Sequence, residues 1–170
     1  MTSVVLSIGS NLGDRQAHLQ SVVDGLGSAL RAVSPVYETD AWGGVEQAPF
    51  LNAILIADDP QCDAHAWLRR AHDLEDAAQR VRVQRWGPRT LDVDLIACHD
   101  GDAEVVIRDS VLTLPHLYAH QRAFVLVPWL DVDPDAALTV DGEPRRVEKL
   151  LTGLDAAERD GVRLTGMVLI

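Results

Sequence analysis

The sequence is short of positive charge: 15 Lys and Arg stand against 26 Asp and Glu, a net charge of −11. A surface of that sign repels phosphodiester backbones and anionic lipid, which argues against a general binder of nucleic acid or membrane surfaces. Cysteine is equally scarce. Cys62 and Cys98 belong to no CxxC pair and are read as reduced thiols. No signal peptide, transit peptide or long apolar run is present, so a cytoplasmic protein is expected. No repeat or low-complexity linker divides the chain, and one domain over residues 1–170 is expected. The glycine-rich turn at 9–13 has no Gly-Lys-Ser/Thr after it, which excludes a Walker A loop. The acidic run 131–135 lacks the Gly and distal Glu of an EF-hand and reads as a turn.

What is present is ordinary globular material. Hydrophobic residues make up 47% and charged residues 24% of 170 positions, enough for a real core. Residues 4–8 predict a buried strand, and Asp14 reads as the N-cap of a helix over 15–30. Residues 32–37 predict a second strand, 38–49 a loop with two adjacent glycines and Trp42, and 50–56 a third strand. Asn52 is the odd residue in that strand, because a buried amide must find partners. A second helix is expected over 63–80. Its buried stripe would hold Trp67, Ala71, Leu74 and Ala78, and its exposed side Arg69, Arg70, His72, Glu75 and Asp76. A hairpin turn at 99–102, a short strand at 104–107 and a helix at 145–151 follow. The apolar tail 162–170 is strand-like, packing either on the sheet or on another subunit.

The chain is organised around residues 80–94. Arg80, Arg82, Arg85 and Arg89 fall within ten residues, interrupted by Trp86-Gly87-Pro88, and Asp92 and Asp94 follow. Gly-Pro breaks regular structure, so these arginines sit on a loop. Residues 90–98 predict a strand, in which i and i+2 share one face at about 6.6 Å. Asp92 and Asp94 are therefore side by side, with Leu91, Val93 and Leu95 facing a core. No basic side chain is expected on the carboxylate face. Two such carboxylates repel unless a cation compensates, and oxygen ligands suit Mg²⁺. Arginines beside them suit a transferring phosphoryl group. Alternating aspartates are also what a solvated strand face looks like, and an arginine cluster is also what a surface patch looks like.

The run Arg85-Trp86-Gly87-Pro88-Arg89-Thr90-Leu91-Asp92-Val93-Asp94 resembles the signature of the 6-hydroxymethyl-7,8-dihydropterin pyrophosphokinase family. Gly9-Ser10-Asn11-Leu12-Gly13-Asp14 is similar to the family's opening, and the resemblance extends to about Pro134. It implies an α+β, ferredoxin-like fold, with an antiparallel sheet and helices mainly on one face. It also implies transfer of the diphosphate of ATP to the pterin hydroxymethyl group, releasing AMP, in folate biosynthesis. On that resemblance Asp92 and Asp94 hold two Mg²⁺, and Arg80 and Arg89 are catalytic. Thr39, Trp42, Phe50, Asn52 and Phe124 bind the pterin. His72, Glu75, Arg82, Arg85, Trp86, His116 and Arg122 bind ATP. The partners implied are the two small-molecule substrates, with no nucleic acid and no membrane, for a monomer.

Departures from the family pattern are Gln79 for a Gly, Asp40 and Trp42 in the first loop, and Leu117 for a Tyr. Two rivals share these residues. One is a non-catalytic nucleotide-binding or RNA-binding module of the same fold. The other is a kinase that transfers only the γ-phosphate.

Overall fold

A computed structural model describes residues 2–42, 46–78 and 90–170. In chain order they form β1 (Thr2–Ser10), α1 (Arg15–Leu26), β2 (Leu30–Val33), β3 (Tyr37–Thr39), β4 (Phe50–Asp59) and α2 (Ala64–Ala77). Then come β5 (Asp92–Asp100), β6 (Ala103–Glu104), β7 (Ile107–Arg108), β8 (Thr113–Leu114) and α3 (Ala123–Val132). The chain closes with β9 (Ala137–Val140), β10 (Glu143–Arg146), α4 (Val147–Thr152), α5 (Ala156–Asp160) and β11 (Val162–Leu164).

One antiparallel sheet runs in the order β11-β3-β4-β1-β5-β6, with β2 also pairing β4. Alternation along the three central strands sorts their side chains into two layers. Val4, Leu6 and Ile8 of β1, Leu51, Ala53 and Leu55 of β4, and Val93 and Leu95 of β5 all join a core with Leu19, Val22 and Trp67 of α1 and α2. On the other face Val5, Ile54, Ile96 and Ala97 meet Leu126 and Trp129 of α3 and Val147 of α4. Each large buried side chain contributes about 1.5–3 kcal/mol of transfer free energy. The expected α+β class with an antiparallel sheet holds. α1 and α2 form the layer the sequence pointed to, and α3 with α4 adds a second.

Local chemistry sets the helix starts. The Asp14 and Asp63 carboxylates accept the N–H groups of Ala17 and Ala66 at 3.1 and 2.8 Å, satisfying donors that a first helical turn leaves open. Gly27, at φ 53°, ends α1. The expected strand 32–37 is instead two strands. At the break Ser34 donates its N–H to Ile54 O and receives the Ile54 N–H on its hydroxyl. The tail resolves one open alternative: β11 pairs with β3, and Leu169 is buried in the core.

Candidate active site

On the α3-side face of the sheet the central strands line a cavity of about 460 Å³. Register decides which side chains meet. Gly9 of β1 lies between Asn52 of β4 and Asp92 of β5, and Ser7 lies between Ile54 and Asp94. Thr39 of β3 stands opposite Phe50. Ser7, Gly9, Thr39, Phe50, Asn52, Asp92 and Asp94 all line the cavity. The two aspartates share one face, as the period of the strand predicts.

Asn52 is buried and locked. Its Nδ2 donates to Ile8 O at 3.1 Å, and its Oδ1 accepts the Thr39 hydroxyl at 2.5 Å. These bonds fix which way the amide faces. A Cβ on Gly9 would lie 2.5 Å from Asn52 Nδ2, so the amide occupies space that only glycine leaves. The result is a rigid polar edge beside the half-buried ring of Phe50.

The opposite boundary comes from α3 and the turn before it. Arg122 is 5% exposed, and its guanidinium lies over the rings of Trp42, Tyr118 and Phe124 at 4.7, 5.4 and 5.4 Å. Trp42 also meets Tyr118, with ring centroids 5.5 Å apart. Such cation–π contacts strengthen when the cation is desolvated. Arg122 Nη1 lies 3.9 Å from Asp94 Oδ2. Burial pulls its pKa down while Asp94 and Asp92 push it back up, and a guanidinium stays charged. The expectation of no basic side chain near the paired aspartates is thus corrected: Arg122 reaches them from α3, an element that strand alternation says nothing about.

Glu75 corrects a second expectation. It is 1% exposed, on the buried side of α2, not on its exposed side. Its Oε2 accepts the Val93 N–H at 2.9 Å, between the two aspartates. Among the described residues β6 pairs β5 only at His99 and Asp100, so the Asp92 end of that edge takes its partner from a side chain. His72, one turn earlier, is exposed at the cavity rim.

His116 lines the same cavity. Its N–H donates to Ile96 O at 2.9 Å, and its Nδ1 accepts the Tyr118 N–H at 3.1 Å. Burial, and then the Arg122 charge, lower its pKa to about 4, against the pull of Asp92. The ring is neutral near pH 7, with Nε2 carrying its proton as a donor. Arg80, Arg82, Arg85, Trp86 and Arg89, together with Gln79, lie outside the described residues.

This arrangement can hold a flat heterocycle against a polar edge and aromatic faces, and place an anion beside carboxylates and a desolvated guanidinium. The family model for 7,8-dihydro-6-hydroxymethylpterin-pyrophosphokinase matches residues 5–134. The chain belongs to that family.

Pyrophosphokinase relatives extend the match. The 2-amino-4-hydroxy-6-hydroxymethyldihydropteridine pyrophosphokinase of Mycobacterium tuberculosis is 64% identical over 169 residues, covering 96% of this chain and 90% of the relative. Its namesake in Methylorubrum extorquens is 39% identical over 159 residues, covering 91% and 95%. Among solved structures, wild-type Plasmodium falciparum HPPK-DHPS with pterin and p-hydroxybenzoate aligns with TM-score 0.65 at 13% identity, covering 89% of this chain. That likeness concerns the fold, and this chain spans 42% of that longer protein.

Sequence reasoning missed Gly9 and Tyr118 among the residues that line the cavity. Gly9 was legible as part of a turn, but its clearance from Asn52 depends on strand register. Tyr118 follows Leu117, the position singled out as lacking the family's Tyr, and the turn before α3 carries its ring to Trp42 and Arg122.

Proposed function

We propose that the chain carries out the reaction for which its family is named, in this cavity: transfer of the diphosphate of ATP to the hydroxymethyl group of 6-hydroxymethyl-7,8-dihydropterin. The observation that carries the site reading is that Thr39, Phe50 and Asn52 share one sheet face, and one cavity, with Asp92 and Asp94. The hydroxymethyl oxygen attacks the β-phosphorus, the bond from that phosphorus to the α,β-bridging oxygen breaks, and AMP leaves with that oxygen. The hydroxyl proton is released to solvent.

The pterin stacks on Phe50 and Phe124 and gives its amide edge to Asn52. Thr39 and Ile8 O hold Asn52 in place, so the edge is preorganised and its hydrogen bonds cost little ordering. Trp42 closes the same side through Tyr118 and Arg122. The nucleotide lies towards Asp92, Asp94, His116 and Arg122, with His72 at the rim. Glu75 holds the strand that presents the carboxylates. Arg80, Arg82, Arg85, Trp86 and Arg89 follow directly in sequence and are assigned to ATP and to the transition state.

The donor set fits Mg²⁺: two carboxylates in a cavity with room for waters and phosphate oxygens, and no nitrogen or sulfur cluster among the described residues. Asp92 and Asp94 would hold two such ions, which would supply charge neutralisation at the phosphates. Arg122 adds a fixed positive charge in a low-dielectric setting. The net charge of −11 supports small-molecule substrates over nucleic acid. No described helix is long and apolar enough to cross a membrane, and we read the protein as a cytoplasmic monomer.

Titration of two variants tests the division of the cavity. Asn52→Ala should weaken a pterin analogue and spare an ATP analogue, whereas Asp92→Asn should weaken Mg·ATP and spare the pterin. Loss of both ligands in both variants would overturn it.

A further inference from the structure

Residues 135–170 lie beyond the span that the family model matches, yet α5 and β11 contact the start of α3 and the strand β3, which supply residues of the cavity. Their contacts fall on two different walls. The first is the start of α3. The N-cap of that helix is Arg122, whose guanidinium has only donors and so cannot cap the helix; it is turned towards Asp94 and the aromatic rings. A first helical turn leaves N–H groups that need an acceptor from elsewhere. Glu158 supplies one, its Oε1 accepting the Ala123 N–H at 3.3 Å. A carboxylate there is also favoured by the helix dipole, and its charge favours the cation of Arg122. The turn so held carries Arg122 and Phe124.

The second wall is β3 and the residue after it. β11 pairs with β3, Val162 opposite Thr39 and Leu164 opposite Tyr37. Gly161 O accepts the Asp40 N–H at 2.9 Å. Arg163 Nη1 meets Asp40 Oδ1 at 3.1 Å, and its Nη2 lies 3.8 Å from Glu38 Oε1. Thr39, between those two acidic residues, is the donor that orients Asn52. Only four residues therefore lie between Glu158, which contacts one wall, and Arg163, which contacts the other. Neither Glu158 nor Arg163 lines the cavity itself.

We propose that α5–β11 is a positioning element that fixes the two walls of the pterin pocket relative to each other, with Glu158 and Arg163 as its positioning residues. The proposal rests on the assignment of Thr39, Asn52 and Phe124 to the pterin. Arg163 acts on the Thr39 wall alone. Glu158 acts on the turn that carries both Phe124 and Arg122, so it influences both substrates.

The test uses the full chain with Arg163→Ala, Glu158→Ala, Glu158→Gln and the double alanine variant, read as separate KM values for the pterin and ATP alongside melting temperature. Arg163→Ala should raise the pterin KM about threefold, the scale of one exposed ion pair, and leave the ATP KM within about twofold. Glu158→Ala should raise both KM values about fivefold, the scale of one lost helix cap. Glu158→Gln keeps an acceptor and should return both to within about twofold. The double variant should raise the pterin KM by clearly less than the product of the two, about fifteenfold, because either substitution already releases one wall from the other. The full product would show two independent contacts and overturn the proposal. Asp40→Ala removes the acceptor of Arg163 Nη1 from the other side and should reproduce the Arg163→Ala split. A lower melting temperature with unchanged KM values in the alanine variants would reduce the arm to a structural role and overturn the proposal. Asn52→Ala run in parallel identifies the failing level: if it too leaves pterin binding intact, the pocket assignment falls and the proposal with it.

Discussion

Gly9→Ala adds one methyl group at the centre of the site. The new Cβ would stand 2.5 Å from Asn52 Nδ2, whereas non-bonded contacts settle at about 3.5 Å or more. Gly9 cannot retreat, because it pairs with Asn52 on one side and Asp92 on the other. The amide must then move by about 1 Å. That motion strains or breaks the bonds from Asn52 Nδ2 to Ile8 O and from the Thr39 hydroxyl to Asn52 Oδ1. A buried polar group left unpaired costs about 1–3 kcal/mol, and overpacking typically costs a similar amount. A displacement of about 1 Å in a positioning group is worth about 10² in rate. Gly9→Ala should therefore lower kcat/KM for the pterin about a hundredfold and leave affinity for an ATP analogue within about twofold. Urea unfolding should show a loss of about 1–3 kcal/mol. In an Asn52→Ala background the space is vacant, since Phe50 Cδ2 at 3.4 Å is an ordinary contact. There the added methyl should cost less than about 0.5 kcal/mol. Wild-type pterin affinity in Gly9→Ala, or full additivity with Asn52→Ala, would refute the clearance argument.

Other consequences are as direct. Asp94→Asn should abolish turnover with the fold intact by circular dichroism, and activity within about tenfold of the parent at saturating Mg²⁺ would remove the metal assignment. Glu75→Ala should destabilise the protein by about 1–3 kcal/mol in urea, because the Val93 N–H loses its acceptor. A surface role, with stability unchanged, would contradict this. Cys98 is buried, and burial pushes its thiol up to about 12. A maleimide at pH 8 should label half-buried Cys62 first and Cys98 only on unfolding, and equal labelling rates would refute that.

Much of the site was legible because strand alternation depends on sequence spacing alone. Asp92 and Asp94 share a face, and Leu91, Val93 and Leu95 enter the core as that period requires. Asn52 stood out because an amide in an apolar strand demands partners, and it has them. Glu75 was misplaced although its spacing was informative. Trp67, Ala71 and Glu75 repeat at four-residue intervals on the buried stripe, but a charged residue is ordinarily assigned to solvent. Its acceptor role depends on where, among the described residues, β6 stops pairing with β5, which no local pattern reveals. The apolar run that became α3 fits a buried strand or a buried helix equally by periodicity. Arg122 therefore could not be brought to Asp94 from sequence spacing. The split of 32–37 into two strands turns on Ser34 pairing with Ile54, a contact twenty positions away.

The most direct test of the whole account is which phosphorus is attacked. The protein should be incubated with Mg·ATP and 6-hydroxymethyl-7,8-dihydropterin, the nucleotides separated by chromatography and the pterin product weighed by mass spectrometry. Attack on the β-phosphorus predicts AMP and a pterin diphosphate in equal amounts, with both lost in Asp94→Asn. ADP with a pterin monophosphate would contradict the account.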